Sequence, residues 1–510
     1  MHAPALAFVA THPKVRPALW PRLERALDRA FGAAANPLRN LGGLGFLLFW
    51  VLVVTGVYLY ARFDTSIGGA YASIDHLSRA EWYFGGVLRS VHRYAADAFV
   101  VATLAHLARE WAAGRFRRFR AFTWISGVPL VWLLYASGIV GCWLVWDARA
   151  QFSATATAEW LDALPMFGGA LVRNFIFSEN VSDRLFSLFV FLHIGLPLLL
   201  LAGMWVHVQR LSQPRTLPPR ALALGMLAML LVLALACPVQ SGPPADATRV
   251  PAALELDWFV LFAHPLMYAT SPVALWVLAG ASTVMLVALP WLARVPAPVA
   301  ARVNLANCNG CGRCVADCPY QAVLLAPRSD GRRGERAWVL EARCAACGIC
   351  AGACPSATPF RSVPELVSGI DLPDLTVHDL RRRLARALGR FSGRRSMIVF
   401  ACAEAARSEA LAGPDSAVLE LRCLAMLPPS FIEYALRRGA AGVLLLGCRE
   451  GECAFRLGMQ LAAARLAAER EPHLRPSVPR DRIRTVACAP GEERRAAAAL
   501  AALRAATADS

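Results

Sequence analysis

Two pairs of histidines with the same spacing constrain this chain more than any other feature. His92 and His106 lie 14 residues apart in one apolar stretch, and His193 and His207 lie 14 residues apart in another. In an α-helix this spacing makes nearly four turns and rises about 21 Å, so the histidines of a pair face one side and span most of a bilayer core. Ionisable groups inside a membrane are costly, and two such helices can clamp two haems between imidazoles. The spacing therefore predicts a haem-binding helical bundle.

Hydropathy agrees with a membrane location. Of the 510 residues, 57% are hydrophobic, and the mean hydropathy of +0.44 is high for a soluble protein. The apolar segments that are long enough for membrane helices are concentrated before residue 293. We predict six spans, at residues 42–61, 92–112, 124–146, 186–208, 221–237 and 270–291.

The distribution of charge indicates the orientation. The formal net charge is +17, but no nucleic-acid-binding motif accompanies it, so nucleic acid is not an expected partner. Arginines cluster before the first span, after the second and after the fourth, and these three regions share one side of the bilayer. The positive-inside rule then predicts cytoplasmic termini in a bacterial inner membrane. Residues 1–36 are predicted to be an amphipathic segment on the inner surface, and no signal peptide is expected.

Glycines repeat the period of the histidines. Gly42 and Gly56 lie 14 residues apart in the first span, and Gly127 and Gly141 lie 14 residues apart in the third. A glycine lets a flat macrocycle approach the helix backbone closely. Small residues also serve simple helix packing in membranes, but the shared period favours positions at a haem edge.

Residues 37–215 resemble the four-helix haem core of cytochrome b, particularly the form found in cytochrome b/f complexes. The runs that carry the resemblance are Arg89-Ser-Val-His92-Arg93, Thr123-Trp-Ile-Ser-Gly127-Val and Trp146-Asp147. The resemblance implies that His92 and His193 bind an outer haem b and that His106 and His207 bind an inner one. It also implies that Arg89 and Arg93 neutralise haem propionates, although arginines that reach the membrane interface are the simpler alternative.

A weaker resemblance to the same family continues through residues 216–293, which are predicted to hold two further transmembrane helices. The family's outer quinol-oxidation site carries a Pro-Glu-Trp-Tyr turn, and the corresponding run here is Leu256-Asp257-Trp258-Phe259. The altered turn argues against outer-side quinol oxidation. Asn40 stands where cytochrome b/f complexes attach an extra haem through a cysteine, so no covalent haem is expected. His264 has two interpretations, a quinone site or a structural role.

Cysteine spacing predicts iron–sulfur clusters after residue 300. Thirteen of the 15 cysteines follow residue 307, in the half predicted to be cytoplasmic, where metal ligation is a better interpretation than disulfide bonding. Two runs of the form C-x2-C-x2-C-x3-C-P follow each other, as in bacterial ferredoxins, where the fourth cysteine of each run ligates the other cluster. Residues 300–360 are thus predicted to be an α+β ferredoxin domain with two 4Fe–4S clusters. Zinc, the alternative, rarely uses eight cysteines in this duplicated form: Cys308, Cys311, Cys314, Cys318, Cys344, Cys347, Cys350 and Cys354.

A polar linker is predicted at residues 361–395, and residues 396–510 follow a different pattern. Short apolar runs end in cysteine and alternate with helix-like stretches, which is typical of a parallel α/β sheet with a site at the carboxyl ends of its strands. Three runs carry a resemblance to a known family: Phe400-Ala-Cys402, Arg422-Cys423, and Gly447-Cys448 with Gly451-Glu-Cys453. Through them the region resembles the small iron–sulfur (delta) subunit of the hydrogenases that partner heterodisulfide reductase. This implies one 2Fe–2S cluster, although Ala405 and Ala454 replace a cysteine and a histidine of that family. The implied ligands are Cys402, Cys423, Cys448 and Cys453, with Cys488 as a spare candidate.

These cofactors in one chain predict electron transfer. The sequence has no dinucleotide fingerprint and no nickel–iron or molybdenum signature, so no catalytic residue is assigned. We expect a subunit that links a soluble cytoplasmic dehydrogenase or flavoprotein to the membrane quinone pool, with quinone as its substrate. An alternative is a cytochrome b/f-like quinol oxidoreductase that sends electrons inward to a low-potential acceptor. A redox-sensing membrane protein is a third alternative, but no output module is recognisable.

Overall fold

The computed structural model describes residues 19–167, 182–246, 248, 254, 261–292, 299–391, 395–449 and 452–508. The altered turn at residues 256–259 lies outside the described residues. The chain divides into two compact units, and each is described by itself. The membrane unit comprises Val15–Gln209 and Pro214–Arg294, and the iron–sulfur unit consists mainly of Val295–Ser510.

The membrane unit is helical throughout its described part. Its helices are α1 Leu19–Ala35, α2 Leu41–Arg62, α3 Ala70–Arg79, α4 Val87–Ala112, α5 Ala121–Trp143, α6 Ala148–Asp162, α7 Asp183–Val208, α8 Arg220–Ala236, α9 Ala263–Ala269 and α10 Pro272–Leu292.

Four of the described helices, α2, α5, α7 and α10, are long and apolar enough to cross a membrane, and the chain is a multi-pass membrane protein. The other two predicted spans fall short of that criterion for separate reasons. Helix α4 has 26 residues, but it carries Arg89, Arg93, Asp97, Arg109 and Glu110. Helix α8 is apolar but has only 17 residues, slightly fewer than a typical span of about 20.

The haem-core helices pack in two pairs, α2 with α4 and α5 with α7. Leu48 and Phe49 of α2 and Phe99 of α4 lie in one buried apolar core. Leu134 of α5 and Leu200 of α7 belong to the same core. Near the other end of the unit, Trp143 and Phe186 belong to a second apolar core. Helix α1 docks on α4 through a polar contact, since buried Glu24 accepts a hydrogen bond from Arg109 Nε at 3.1 Å.

The ferredoxin part of the iron–sulfur unit combines short strands and single-turn helices. Strands β1 and β4 pair antiparallel, and so do β2 and β3. One short helix contains the third cysteine of each run, and each helix begins after a glycine with positive φ, Gly312 or Gly348. The elements are β1 Arg302–Val303, α11 Arg313–Asp317, β2 Val323–Pro327, β3 Glu335–Val339, α12 Ile349–Ala353 and β4 Ile370–Asp371.

The carboxyl-terminal part is a parallel α/β domain. Its four strands are parallel in the order β6-β5-β7-β8, with every residue of β5 buried. The segment predicted as a linker, 361–395, contains β4 and α13, and Leu380 and Leu384 of α13 are buried in the core of this domain. The remaining elements are α13 Val377–Arg390, β5 Ser396–Cys402, β6 Ser416–Leu421, α14 Ser430–Arg437, β7 Ala440–Gly447, α15 Gly458–Leu466, β8 Ile483–Ala487 and α16 Glu493–Ala508.

The predicted fold class is confirmed. A helical membrane bundle comes first, a small sheet-containing ferredoxin region second and a parallel-sheet domain last. The ferredoxin part and the carboxyl-terminal part are not joined by a free hinge, because residues of both parts contribute to one apolar core.

Candidate cofactor sites

The structure brings the four histidines together in two facing pairs. The ring centroids of His92 on α4 and His193 on α7 lie 6.3 Å apart. The ring centroids of His106 and His207, which lie 14 residues further along the same two helices, are 6.4 Å apart. We call them the outer pair and the inner pair, respectively. Each pair presents two imidazoles from neighbouring helices, which is the donor set of a bis-histidine haem.

Hydrogen bonds on Nδ1 assign the tautomer of three of these imidazoles. Thr55 Oγ1 donates to Val51 O at 2.7 Å, so at 2.8 Å from His92 Nδ1 it must accept. His193 Nδ1 can only donate to Ser137 O, 3.1 Å away.

On the inner pair, Ser126 Oγ donates to Thr123 O at 3.1 Å and lies 3.2 Å from His207 Nδ1. His207 therefore repeats the arrangement of His92. In all three residues Nδ1 carries the proton and Nε2 keeps a free lone pair, which is the form that ligates iron.

These hydroxyl and carbonyl partners were missed by sequence reasoning. A signal was nevertheless present, since Thr55 and Ser126 each immediately precede one of the periodic glycines, Gly56 and Gly127. A residue just before a helix-edge glycine faces a neighbouring surface of the same helix, within reach of the partner helix.

Three of the four periodic glycines lie against the histidine rings. An added Cβ would come within 3.2 Å of His92 Cε1 at Gly56, 3.1 Å of His207 Cε1 at Gly127 and 2.7 Å of His193 Cε1 at Gly141. Gly42 differs, because an added Cβ there would have no heavy atom within 4 Å. At Gly141 a side chain larger than hydrogen would therefore clash with the His193 ring unless the ring moved.

The two arginines assigned to propionates already have protein partners. Arg89 is buried and donates to Ser78 and, over 3.0 Å, to Ser241 Oγ. Arg93 forms an ion pair with Asp97 at 3.1 Å, one helical turn away. A second charged cluster lies next to the inner pair: the Glu110 carboxylate pairs with Arg109, Arg115 and Arg120 at 3.4–3.5 Å. Such a cluster supplies cations close to His106 that the sequence analysis did not single out.

Two further polar residues, Asp147 and His264, are buried in the membrane unit. Asp147 is buried and caps α6, accepting from Ala150 N at 2.9 Å and from Gly242 N at 3.0 Å. His264 is also buried, and its Nε2 lies 3.0 Å from Thr157 Oγ1. Its Nδ1 has no hydrogen-bond partner among the described residues. Asp147 therefore has a structural role, whereas His264 retains an unsatisfied buried nitrogen.

The eight ferredoxin cysteines separate into two groups, each of which lines its own cavity. We call these groups the first and second ferredoxin sites. Each cavity is small and is lined by four cysteines. In both, the fourth cysteine comes from the other run, as in bacterial ferredoxins. The first site consists of Cys308, Cys311, Cys314 and Cys354, and the second of Cys318, Cys344, Cys347 and Cys350.

Backbone N–H groups point at cysteine sulfurs of the second ferredoxin site, from Ala322 to Cys318 Sγ at 3.2 Å and from Ala346 to Cys344 Sγ at 3.4 Å. Such N–H···S bonds stabilise charged cluster sulfurs.

Burial keeps the free thiols protonated. It raises the pKa of Cys314 to about 12, with the neighbouring Cys354 and Cys311 adding to the effect. It also raises the pKa of Cys347 to about 12. Ligation requires thiolates, so binding of a cluster must release protons at both positions.

A third set of cysteines converges at the carboxyl ends of the parallel strands. Cys402 ends β5, Cys423 and Cys448 follow β6 and β7, and Cys453 comes from the next loop. Cys402 Sγ and Cys448 Sγ are 3.4 Å apart. An added Cβ on Gly458 would lie 2.3 Å from Cys423 Sγ and 3.1 Å from Cys453 Sγ. We call this set the four-cysteine site.

Cys488 follows the edge strand β8 and is fully buried. Its backbone N–H donates to the carbonyl of Gly447, the residue before Cys448, at 3.0 Å. Burial raises the pKa of its thiol. The spare candidate therefore lies on the strand next to that of Cys448, one member of the four-cysteine site.

Comparisons with known proteins match three regions in the expected order. Family models match for cytochrome b/b6/petB over residues 28–214, a 4Fe-4S dicluster domain over 307–358 and the delta subunit of methyl-viologen-reducing hydrogenase over 397–507. Cytochrome b6 of Tupiella akineta is 32% identical over 168 residues, which cover 33% of this chain and 78% of that protein. A chain of a hyperthermophilic respiratory complex III aligns at 19% identity and a TM-score of 0.41, covering 50% of this chain and 75% of its own. The three predicted resemblances are confirmed.

Proposed function

The chain belongs to the cytochrome b family, and from this we propose that it passes electrons between a soluble cytoplasmic redox enzyme and the membrane quinone pool. It is a membrane electron-transfer subunit with haem b and iron–sulfur domains. The proposed electron path is based on one observation. A single polypeptide carries two facing histidine pairs and three sets of cysteines that lie close together.

In this proposal the outer and inner pairs each hold one haem b. Bound there, haem supplies reversible one-electron chemistry. Thr55, Ser137 and Ser126 orient the imidazoles through Nδ1, so Nε2 faces the iron position. Gly56, Gly127 and Gly141 keep the helix surface beside the rings free of side chains. Arg89, Arg93 and the arginines around Glu110 supply cations for propionates.

The cysteine sets hold the iron–sulfur groups. Each ferredoxin site takes one 4Fe–4S cluster, and the four-cysteine site takes one 2Fe–2S cluster. The cavities, the N–H···S bonds and the exchanged fourth cysteine support the two cubanes. Four thiols at adjacent strand ends support the smaller cluster.

We place the chain in a bacterial inner membrane, with both termini and the iron–sulfur unit in the cytoplasm. A dehydrogenase or flavoprotein is the proposed donor, because the delta-like domain resembles a subunit that serves a soluble redox enzyme. Electrons then enter through the iron–sulfur unit and leave through the haems to quinone.

One observation favours a second candidate, quinol oxidation on the outer side with electrons sent inward. His264 is buried with an unpartnered Nδ1, and a buried imidazole of this kind is suited to accept a proton from a quinol. In the proposed orientation it lies near the outer surface, on the short helix α9.

The two directions are distinguished by one experiment on native membranes. Cys423→Ser is compared with Cys488→Ser while haem absorbance is followed after reduction by the co-purified partner or by added quinol. We expect Cys423→Ser to abolish haem reduction by the partner and to leave reduction by quinol intact, with Cys488→Ser unaffected in both. Full-rate reduction of the haems by the partner in Cys423→Ser would contradict the proposal, and quinol-driven reduction of the partner would select the second candidate.

A further inference from the structure

The second ferredoxin site is built into the core of the carboxyl-terminal domain. Cys347 and Ile349 belong to the same apolar core as Phe400 and Leu445 of the parallel sheet. In return, Met426 of the carboxyl-terminal domain is buried in the ferredoxin core.

Close backbone approach brings this site to the four-cysteine site. The turn Leu424–Met426 directly follows Cys423. An added Cβ on Gly352 would lie 2.0 Å from Ala425 O, and one on Gly348 would lie 2.7 Å from Met426 Cγ. Tyr320, two residues after Cys318, donates to the carbonyl of Ala454, the residue after Cys453, at 3.3 Å. The two sites therefore share one tight interface.

Arg465 occupies this interface. It is 1% exposed, and its guanidinium donates to Ala425 O at 2.7 Å and to Ile349 O at 3.4 Å. It also forms an ion pair with buried Asp317, which Arg470 contacts at 2.5 Å. These partners stand next to the ligand positions of both sites: Asp317 precedes Cys318, Ile349 precedes Cys350, and Ala425 lies two residues after Cys423.

The buried charge has a second consequence. Burial lowers the pKa of Arg465, while the charges of Asp317 and, more weakly, Cys423 raise it. Its Nε–H has no hydrogen-bond partner among the described residues. A buried cation with a spare donor beside sulfur ligands favours the more negative, reduced form of a cluster. Arg328 is a comparable arginine at the first ferredoxin site. It donates to Cys308 O at 2.6 Å and to Leu305 O at 2.7 Å, which both belong to the ferredoxin part rather than to the carboxyl-terminal domain.

We propose that Arg465 is a positioning residue that seats the second ferredoxin site against the four-cysteine site, and that these two sites exchange electrons directly. The inference rests on the proposed function, because it assigns the cubane that receives electrons from the 2Fe–2S cluster. In that step one electron leaves the reduced 2Fe–2S cluster and reduces the oxidised cubane, and no bond forms or breaks.

The test uses the full-length protein, purified anaerobically with its cofactors, and EPR of the 2Fe–2S signal during stepwise reduction. In the wild type we expect the signal to broaden and relax faster when the neighbouring cubane becomes paramagnetic. Cys344→Ser, in the second site, should remove that effect. Cys308→Ser, in the first site, should leave it. Broadening that survives Cys344→Ser and disappears in Cys308→Ser would overturn the proposal, as would a wild-type protein without any 2Fe–2S signal.

The positioning role is tested by Arg465→Met against Arg328→Met. Arg465→Met should reduce the magnetic interaction at least severalfold and lower the midpoint potential of the second cubane, whereas the effect of Arg328→Met should be confined to the first site. Equal behaviour of the two variants would refute the role of Arg465. If Arg465→Met fails to fold, Arg465→Lys retains the charge but not the two-carbonyl contact and should give an intermediate interaction; a wild-type interaction in that variant would also refute it. Haem reduction by quinol in the same samples reports separately on the proposed function.

Discussion

Thr55 accepts a hydrogen bond from His92 Nδ1 at 2.8 Å while its own hydroxyl proton is donated to Val51 O. One threonine on α2 thus determines the tautomer of an imidazole on α4. Because only Nε2 is then left for a metal, the position of the iron relative to both helices is decided by a group that is not itself a ligand.

Thr55→Val should weaken haem binding at the outer pair. Valine keeps the shape of threonine but removes the acceptor, so His92 loses the partner that orients it. Losses of this kind typically amount to roughly 10–100-fold in metal affinity. Haem retained after detergent washing, measured as the pyridine haemochrome, should fall by up to one haem per chain. Thr103→Val is the matched control, since that hydroxyl only donates to Phe99 O within α4; equal retention in both variants would contradict the role of Thr55.

Gly141→Ala should also disturb the outer pair. The added methyl group would lie 2.7 Å from His193 Cε1, so the ring has to rotate or the helices have to separate. We expect lower haem incorporation and a shifted outer-haem potential in a redox titration. Gly280→Ala on α10, where an added Cβ has no neighbour within 4 Å, should leave both properties unchanged. An unaltered Gly141→Ala protein would show that this contact is not limiting.

His106→Ala should remove the inner haem and leave much of the outer one. The two pairs consist of separate side chains, so in the proposed function each haem would be bound by its own pair of histidines. The pyridine haemochrome of the purified variant should fall to about half. Two full haems in this variant would refute the ligand assignment.

Iron content distinguishes the four-cysteine site from a buried cluster of core cysteines. Two cubanes and one 2Fe–2S cluster predict about ten non-haem iron atoms per chain. Cys423→Ser should lower this number by about two and abolish the 2Fe–2S EPR signal. Cys488→Ser should retain both, because Cys402, Cys423, Cys448 and Cys453 already supply the four ligands of the proposed cluster. About eight non-haem irons in the wild type would mean that the carboxyl-terminal domain binds no cluster.

The pKa values of the ferredoxin thiols predict how the cluster-free protein reacts. Burial raises the pKa of both Cys314 and Cys347 to about 12, so each is almost entirely the unreactive thiol at neutral pH. After iron removal by a chelator, alkylation of these two residues should be slow and should still rise about tenfold per pH unit at pH 9. Site-resolved mass spectrometry measures both rates, and a plateau near pH 8 would contradict the shifted pKa values.

The sequence by itself was sufficient for the order of the domains and for the candidate ligands. Histidine spacing, glycine spacing and the C-x2-C-x2-C-x3-C-P runs are local patterns, set by helical period and by loops of a few residues. The alternation of apolar runs and helices likewise predicted the parallel sheet whose strand ends carry Cys402, Cys423 and Cys448. The number of membrane spans was harder to predict from the sequence than the ligands were. Helix α4 carries charged residues and yet packs against the apolar helix α2.

Tertiary structure alone decided which groups support those ligands. The partners of His92, His193 and His207 come from other helices, 37, 56 and 81 residues away in the chain. The glycines that follow Thr55 and Ser126 mark these positions locally but do not show which ring each hydroxyl meets. Arg465 was invisible for the same reason, since its partners Asp317 and Ile349 precede it by 148 and 116 residues. Local periodicity determines which side chains share a face of one element, whereas packing between elements determines what that face meets.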